Sequence, residues 1–413
     1  MSNVTEIEKG YKKTSMGILP DDWEVVHIED VAFVDKESLN GNTDPDYTFE
    51  YISLSDVDEK VYSTNTVQFK NAPSRARRLV FGGDIIMSTV RPNLQGFAMI
   101  KEDKRPLVAS TGFAVITANK IESTYLFQSL FSDVFSKQFY QLTVGSNYPA
   151  INSSDVRKLK VPFPPVPEQQ KIAEILSTWD DAIRITKDSI LETKKRNKGL
   201  AQQLLTGKKR LNGFSEEWNE VKLGDIAERI TRKNEELDDT VVTISAQRGF
   251  VLQEDFFKKR VASDTLSGYY LIHEGEYAYN KSYSNGYPMG AFKRLDDFPK
   301  AVVTTLYICF KLKESVNSDF VNQFFQAGLM VKGLSRIAQE GGRAHGLLNI
   351  SLGDFFSLKL FIPEVKEQQA IASILQNAEQ ELKIQQQKLT NLQEQKKGLM
   401  QKLLTGEVRV KID

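Results

Sequence analysis

Apolar residues recur at alternating steps of four and three along two stretches of the chain, at 168–207 and 367–406. A 3.5-residue period held for about five heptads is typical of coiled-coil helices. The apolar seam residues are Ile172, Leu176, Trp179, Ile183, Ile190, Leu200, Leu204, Ile371, Leu375, Leu382, Leu389, Leu392, Leu399 and Leu403. The polar seam positions of the two stretches coincide, Thr186 with Gln385 and Asn197 with Lys396.

The two stretches are copies of one another. The first begins EQQKIAEIL and ends QQLLTG, the second begins EQQAIASIL and ends QKLLTG, and 16 of the 40 aligned positions are identical. Prolines precede both stretches, and Gly207 and Gly406 stand where a left-handed C-terminal cap is expected. Glu168 and Glu367 put negative charge at the positive ends of the helix dipoles.

The repeat extends upstream into regions of mixed strand-like and helix-like pattern. The opening around Trp23 matches that around Trp218, and Gly83-Asp84 matches Gly275-Glu276. The repeating unit is therefore a variable domain of about 150 residues followed by a helix of about 40, and it occurs twice.

Connectivity predicts how the helices pack. The second variable domain starts where the first helix ends and leads directly into the second helix. In a parallel pair the chain would have to return roughly 57 Å between them, so antiparallel packing is expected. The predicted fold is α+β, with an internal pseudo-two-fold repeat and the two domains separated by a long antiparallel two-helix coiled coil. We expect domains at 1–163 and 212–366, with helical segments at 164–211 and 367–413.

Composition narrows the possible functions. Basic and acidic residues are equal in number, 54 each, so a DNA-binding role would need help from a partner for phosphate affinity. The single cysteine, Cys309, lies in an apolar run that predicts a buried strand. One cysteine allows no internal disulfide, and without an apolar leader the expected compartment is the cytoplasm.

Enzymatic motifs are poorly supported. The sequence has no phosphate-binding glycine loop, no methyltransferase-type Asn/Asp-Pro-Pro-aromatic motif and only three scattered histidines, so neither a catalytic nor a metal site is predicted. A nuclease-like pattern, Asp46 followed by Asp58-Glu59-Lys60, is short enough to arise by chance and is missing from the second copy.

Loop clusters that mix cationic, amide and aromatic side chains favour DNA contact instead. Arg can read guanine, Asn or Gln can read adenine, and Lys, Ser or Tyr can bind phosphates. Any one cluster could equally be a solvated loop, but similar clusters recur in both copies. The candidate DNA-binding residues are Arg75, Arg77, Arg78, Arg91, Asn93, Ser146, Asn147, Tyr148, Gln247, Arg248, Lys281, Tyr283, Asn285, Arg343 and His345.

These motifs resemble those of the DNA-specificity subunits of type I restriction-modification systems. The likeness rests on WxxVxIxDVA and WNEVKLGDIA, on the Gly-acid turns, on the EQQ helix starts and on the LLTG helix ends. It implies a non-catalytic subunit in which each domain is a target-recognition domain for one half of an asymmetric bipartite site.

The resemblance also implies partners. Two modification subunits would bind the helices, hold S-adenosylmethionine and methylate adenine at N6, and two motor-nuclease subunits using ATP and Mg²⁺ would join them. The chain itself would carry no cofactor. The residues leave two alternatives open. One is a coiled-coil scaffold with two protein-binding domains, and the other is an enzyme with an unrecognised site, which predicts turnover by the isolated chain.

Overall fold

The computed structural model describes residues 8–101, 105–143, 149–258, 265–338 and 347–412. The chain divides into two compact units: unit 1 comprises Met1–Lys187 with Gln387–Asp413, and unit 2 comprises Asp188–Gln386. Each division falls inside a long helix, so every unit contains one variable domain and one half of each helix.

Short strands dominate the first variable domain. Its strands are β1 (Tyr11–Thr14), β2 (Gly17–Pro20), β3 (Glu24–His27), β4 (Ala32–Val34), β5 (Thr48–Ile52), β6 (Val57–Asp58), β7 (Val61–Tyr62), β8 (Asn65–Gln68), β9 (Ala76–Val80), β10 (Ile85–Ser88), β11 (Phe97–Met99), β12 (Leu107–Ser110), β13 (Phe113–Ala118) and β14 (Lys160–Phe163). Its helices are α1 (Ile28–Val31), α2 (Ser123–Ser129), α3 (Asp133–Leu142) and α4 (Ser153–Arg157), and the long α5 (Val166–Leu205) follows.

Within the described ranges, the second variable domain has the same plan with fewer strands. These are β15 (Asn219–Lys222), β16 (Ala227–Ile230), β17 (Val242–Ser245), β18 (Gly249–Leu252), β19 (Tyr270–His273), β20 (Tyr277–Asn280), β21 (Ala291–Arg294), β22 (Lys300–Val303), β23 (Ile308–Leu312) and β24 (Lys359–Ile362). The helices are α6 (Leu223–Ile226), α7 (Gln253–Phe257), α8 (Ser318–Gln326), α9 (Val331–Ile337), α10 (Leu352–Phe356) and the long α11 (Val365–Leu404).

The sheet topology repeats between the units. A four-stranded antiparallel sheet has the order β11-β10-β13-β4 in unit 1 and β21-β20-β23-β16 in unit 2. A two-stranded ribbon pairs the opening of each domain with its exit, β3 with β14 and β15 with β24. The predicted mixed architecture and internal repeat are therefore confirmed. In each domain the second strand of the ribbon leads directly into a long helix.

The matched Gly-acid pairs form the same turn before β10 and β20. Gly83 and Gly275 have φ of +88° and +81°, values that favour glycine. Asp84 accepts a hydrogen bond from the amide of Phe81, and Glu276 accepts one from the amide of His273. The acid therefore closes the turn that starts a core strand.

The long helices pair antiparallel, as predicted. In unit 1, Leu403 and Leu404 at the end of α11 share a core with Ile172 and Leu176 near the start of α5. In unit 2 the reverse ends meet, and Leu204 and Leu205 share a core with Ile371 and Leu375. The predicted seam residues are all buried or half-buried.

Gly207 and Gly406 end the helices in the left-handed conformation, at φ of +68° and +69°. At Gly406 a Cβ atom would also lie only 2.5 Å from the ring of Pro20, so both the backbone conformation and the close contact favour glycine there. At Gly207 a Cβ would meet Trp218 at 3.4 Å, and the backbone conformation is what favours glycine. Cys309 is buried on β23, where the sequence predicts it.

Candidate nucleic-acid interface

A buried carboxylate ties the start of each long helix to the end of the other. Glu168 is fully buried and accepts two hydrogen bonds from Arg409, at 2.7 and 2.8 Å, and one from the indole of Trp23 at 3.0 Å. In unit 2 Glu367 accepts two from Arg210, both at 2.8 Å, and one from Trp218 at 3.2 Å. We call these two groups the clamps.

The neighbouring glutamine completes each clamp. Gln169 donates to the carbonyl of Pro164 and accepts from the amide of Glu122, both at 2.8 Å. Gln368 makes the same two bonds to Pro363 and Asn317, at the same distances. From the sequence, Glu168 and Glu367 are expected only to carry charge at the helix ends, and their arginine partners are not predicted. Arg210 and Arg409 nevertheless match at the same 199-residue offset, which is the signal that could have identified them.

A polar cluster joins the first variable domain to both helices in unit 1. The ammonium of Lys396, a predicted polar seam residue, is buried and lies 2.6 Å from the Asp180 carboxylate. Lys60 lies 3.0 Å from the same carboxylate and 4.3 Å from the centre of the Phe131 ring. Gln128 accepts from Lys396 and donates to Asp180. The equivalent seam residue in unit 2, Asn197, instead donates to the carbonyl of Ala378 at 2.7 Å.

In the nuclease-like Asp58-Glu59-Lys60 sequence, Asp58 ends β6, and Glu59 and Lys60 form the turn that leads to β7. Glu59 and Lys60 have positive φ, 45° and 71°, an unfavourable conformation for these residues. Both side chains pair with α5, Glu59 with Lys187 and Lys60 with Asp180. These pairs hold a strained turn against the helix, which is a structural role rather than a nuclease one.

Between pH 7 and 9 we expect the stability of the wild-type protein to rise relative to that of Lys60→Met. Burial and the Lys396 ammonium lower the pKa of Lys60 from 10.5 to about 7. In this window the unfolded chain keeps the Lys60 proton and the folded chain releases it, so stability increases with pH, by at most about 1.4 kcal/mol per unit. Urea titrations of both proteins across this range would test it, and parallel pH profiles would contradict it.

Two of the predicted clusters in unit 1, those around Arg75 and Arg91, and the chain at Pro149 lie along one continuous set of backbone contacts. The Arg75 carbonyl accepts from Thr111 at 2.8 Å, and the Gly112 carbonyl accepts from Thr89 at 2.9 Å. The Arg91 amide in turn donates to the Pro149 carbonyl at 2.7 Å. Arg75, just before β9, and Arg91 and Asn93, in the turn after β10, are exposed. The backbone contacts make these two segments neighbours, so they present polar side chains on adjoining parts of the surface.

Arg77 and Arg78 are engaged within the domain. The guanidinium of Arg78 lies 2.9 Å from the buried carboxylate of Asp35. Arg77 donates to the carbonyl of Ala76 and lies 4.9 Å over the ring of Phe69. These contacts give both arginines a role in packing β9.

In unit 2 the turn after β20 occupies the position that the Arg91 turn has in unit 1. The Lys281 carbonyl accepts from the amide of Leu348, and Ser282 bridges to Leu347. Tyr283 and Asn285 in this turn are exposed, and Lys281 is half-buried. Gln247 and Arg248 are exposed in the β17–β18 turn, where Arg248 lies 5.7 Å from the Phe256 ring.

Five predicted residues lie outside the described residues: Ser146, Asn147, Tyr148, Arg343 and His345. The described chain on the far side of each gap, at 149–151 and 347–348, contacts the Arg91 or Lys281 turn. Both gaps therefore adjoin the candidate interface.

Among the described residues, no group of three His, Cys, Asp or Glu side chains could hold a metal ion. In the same ranges no helix combines the length and apolarity that a bilayer crossing requires.

Known proteins resemble the chain over nearly its whole length. A Methanocaldococcus jannaschii protein named as the MjaX type I restriction enzyme specificity subunit is 26% identical over 446 residues, covering 98% of each chain. The crystal structure of the HsdS subunit from Thermoanaerobacter tengcongensis matches with a TM-score of 0.53 at 20% identity, over 94% of this chain and 98% of that one.

A third likeness comes from a chain solved in work on complex assembly and conformational transition of the type I R-M system. Its TM-score is 0.61 at 20% identity, over 94% of this chain and 99% of that one. The sequence pattern of the type I restriction modification DNA specificity domain matches twice, at residues 20–195 and 215–394. With most of its length inside these two matches, the chain belongs to the type I restriction-modification DNA specificity family and carries two copies of its domain.

Proposed function

We propose that each variable domain reads one half of an asymmetric bipartite DNA site for a type I restriction-modification complex, and that the chain itself performs no chemistry. The observation that carries this is the repeat of one exposed polar turn, at Arg91 and at Lys281, on equivalent strands of two specificity domains. For this purpose we divide the chain into reading domains 1–163 and 212–366 and helical segments 164–211 and 367–413.

The proposed DNA-reading side chains differ in the support they have. Arg75, Arg91 and Asn93 of the first domain are exposed in adjoining turns, as are Tyr283 and Asn285 of the second. Their donors and acceptors suit base edges and phosphates. Ser146, Asn147, Tyr148, Arg343 and His345 keep their proposed role because both gaps adjoin these turns, and Lys281, Gln247 and Arg248 stay as contributors.

Arg77 and Arg78 are weaker candidates. Arg78 would have to leave a buried carboxylate to reach DNA, and removing one partner from such a pair costs about 3–5 kcal/mol. We propose that they support β9, the strand that begins immediately after Arg75.

The partners are proposed to be two copies of one adenine-N6 methyltransferase subunit, which holds S-adenosylmethionine, with two motor-nuclease subunits that use ATP and Mg²⁺. The long helices leave large apolar side chains exposed at matching positions. Ile185 and Ile384 are 59% and 60% exposed, and Val166 and Val365 are 48% and 36% exposed. Like side chains at equivalent positions suit two copies of the same partner. With a net charge of zero, the chain also needs a partner for much of its phosphate affinity.

Replacing residues 15–163 by the matching domain of a relative is expected to change one half of the methylated sequence and to leave the other half intact. Each domain has its own sheets and its own exposed turn, so each should read independently. Methylation-aware sequencing of DNA from cells carrying the chimera and the methyltransferase partner gives the result.

The reciprocal chimera, exchanging residues 212–362, is the matched control and should change the other half only. Changes in both halves from either exchange would contradict independent reading. Wild-type complexes whose methylation shows no bipartite sequence would favour the protein-binding scaffold.

A further inference from the structure

Unit 2 contains a groove on its half of the helix pair. At the equivalent place in unit 1, larger side chains and a turn occupy the space. The groove has a volume of about 270 Å³ and is lined by α5, the end of α8 and the first half of α11. Its apolar lining includes Leu375, Leu382, Ala378 and Ala201. An apolar cavity of about 150 Å³ already holds a benzene ring, so this groove has room for a large side chain.

Smaller side chains account for the space. At the 199-residue offset, Ala378 corresponds to Trp179 and Ala201 corresponds to Met400. Gln326, at the end of α8, corresponds to Phe131, because Asn317 and Glu122 occupy the same position opposite Gln368 and Gln169. In unit 1 Phe131 and Met400 pack against the core, and Trp179 is half-buried.

Unit 1 also places a turn at the equivalent location. Twelve residues, 53–64, separate β5 from β8 and carry the Lys60 turn onto α5. Their counterparts β17 and β18 are joined by only three residues, 246–248, all within the described chain. The second domain therefore supplies no such turn from this loop.

The acceptors that hold the Lys60 ammonium in unit 1 have counterparts in the groove. Asp180 corresponds to Glu379 and Gln128 corresponds to Gln323, and both counterparts line it. Lys194 and Lys198 stand on the α5 side. A cation that enters the groove would thus find its acceptors on the α8 and α11 side.

We propose that this groove receives an aromatic side chain with an adjacent lysine or arginine, presented by the methyltransferase subunit that docks on the second half of the helix pair. In unit 1 the chain provides the same chemistry itself, with the Trp179 indole and the Lys60 ammonium. The two copies of the methyltransferase therefore meet different surfaces. This inference rests on the proposed function.

Filling the groove by Ala378→Trp is expected to weaken the binding of one methyltransferase subunit at least tenfold and to leave the other unaffected. Native mass spectrometry of the full chain titrated with the purified methyltransferase measures both steps. Asn377→Trp adds comparable bulk at the neighbouring exposed position and should bind two subunits like the wild type. Circular dichroism and thermal unfolding verify that both variants fold.

A second variant tests the groove without filling it. Cys309 is the only cysteine and is buried, so Ala378→Cys introduces one accessible thiol. Bound methyltransferase should slow its reaction with a maleimide at least tenfold, whereas Asn377→Cys should stay reactive.

If Ala378→Trp binds two subunits with wild-type affinity, or if the Ala378→Cys thiol stays unprotected in the complex, the groove is not the docking site. A wild-type chain that binds no methyltransferase would overturn the proposed function as well.

Discussion

Arg409→Ala is expected to lower the free energy of unfolding by about 3 kcal/mol. The substitution removes both hydrogen bonds from the guanidinium to Glu168 and leaves that carboxylate fully buried, with the Trp23 indole as its remaining partner in the clamp. Breaking a buried ion pair on one side costs about 3–5 kcal/mol, and we expect the lower figure because Arg409 is 40% exposed. Urea-induced unfolding followed by circular dichroism measures the change.

Two further substitutions distinguish loss of the clamp contacts from a general effect of altering this segment of the chain. Lys411→Ala removes an exposed lysine two residues away and should change stability by less than about 0.5 kcal/mol. Arg409→Lys keeps the charge but cannot form the bidentate pair of hydrogen bonds with Glu168, so an intermediate loss of stability is expected. A loss in Arg409→Ala no larger than in Lys411→Ala would show that the clamp contributes little.

Asp180→Ala is expected to lower the free energy of unfolding by about 3–5 kcal/mol, the largest effect of the changes considered. Burial alone would raise the pKa of Asp180, but the ammonium groups of Lys60 and Lys396 outweigh it, and the pKa lies below its ordinary value. Without the carboxylate, two ammonium groups share a partly buried cluster with no counter-charge in it. The loss would be measured by urea unfolding at pH 6, below the pKa of about 7 of Lys60.

Asp181→Ala is the matched control for this change. Asp181 is the next residue on α5, is exposed and pairs only with Arg184 one turn away among the contacts of the described chain. Exposed pairs of this kind contribute up to about 1 kcal/mol. Equal losses in Asp180→Ala and Asp181→Ala would rule out the buried cluster as the reason.

Much of the helix pair could be predicted because its information is local and repeated. A seam of apolar residues at a constant period indicates which face of a helix is buried, and the repeat at an offset of 199 residues indicates that there are two such helices. The clamp could not be predicted in the same way. Glu168 meets Arg409 across 241 residues, and only the antiparallel pairing brings the two together.

In the candidate interface, the sequence predicts the turns but not which of their side chains are engaged within the domain. Arg75, Arg77 and Arg78 look alike in sequence, and local composition gives no means to separate them. Arg78 is tied to Asp35, 43 positions earlier, by a contact that depends on how β9 packs. Candidate turns can therefore be located from a repeat, whereas which of their side chains are engaged within the domain depends on tertiary contacts.

The discontinuity of unit 1 has a consequence for biosynthesis. Unit 2 is one continuous stretch, but unit 1 needs residues from 387 onward to cover Trp23, Ile172 and Leu176 with Leu403 and Leu404. At about 5–20 residues per second, the ribosome needs roughly 10–45 s to add the 226 residues after Lys187. The domain synthesised first is therefore the last to be completed, and a nascent chain that stalls before residue 387 presents apolar surface to chaperones and proteases.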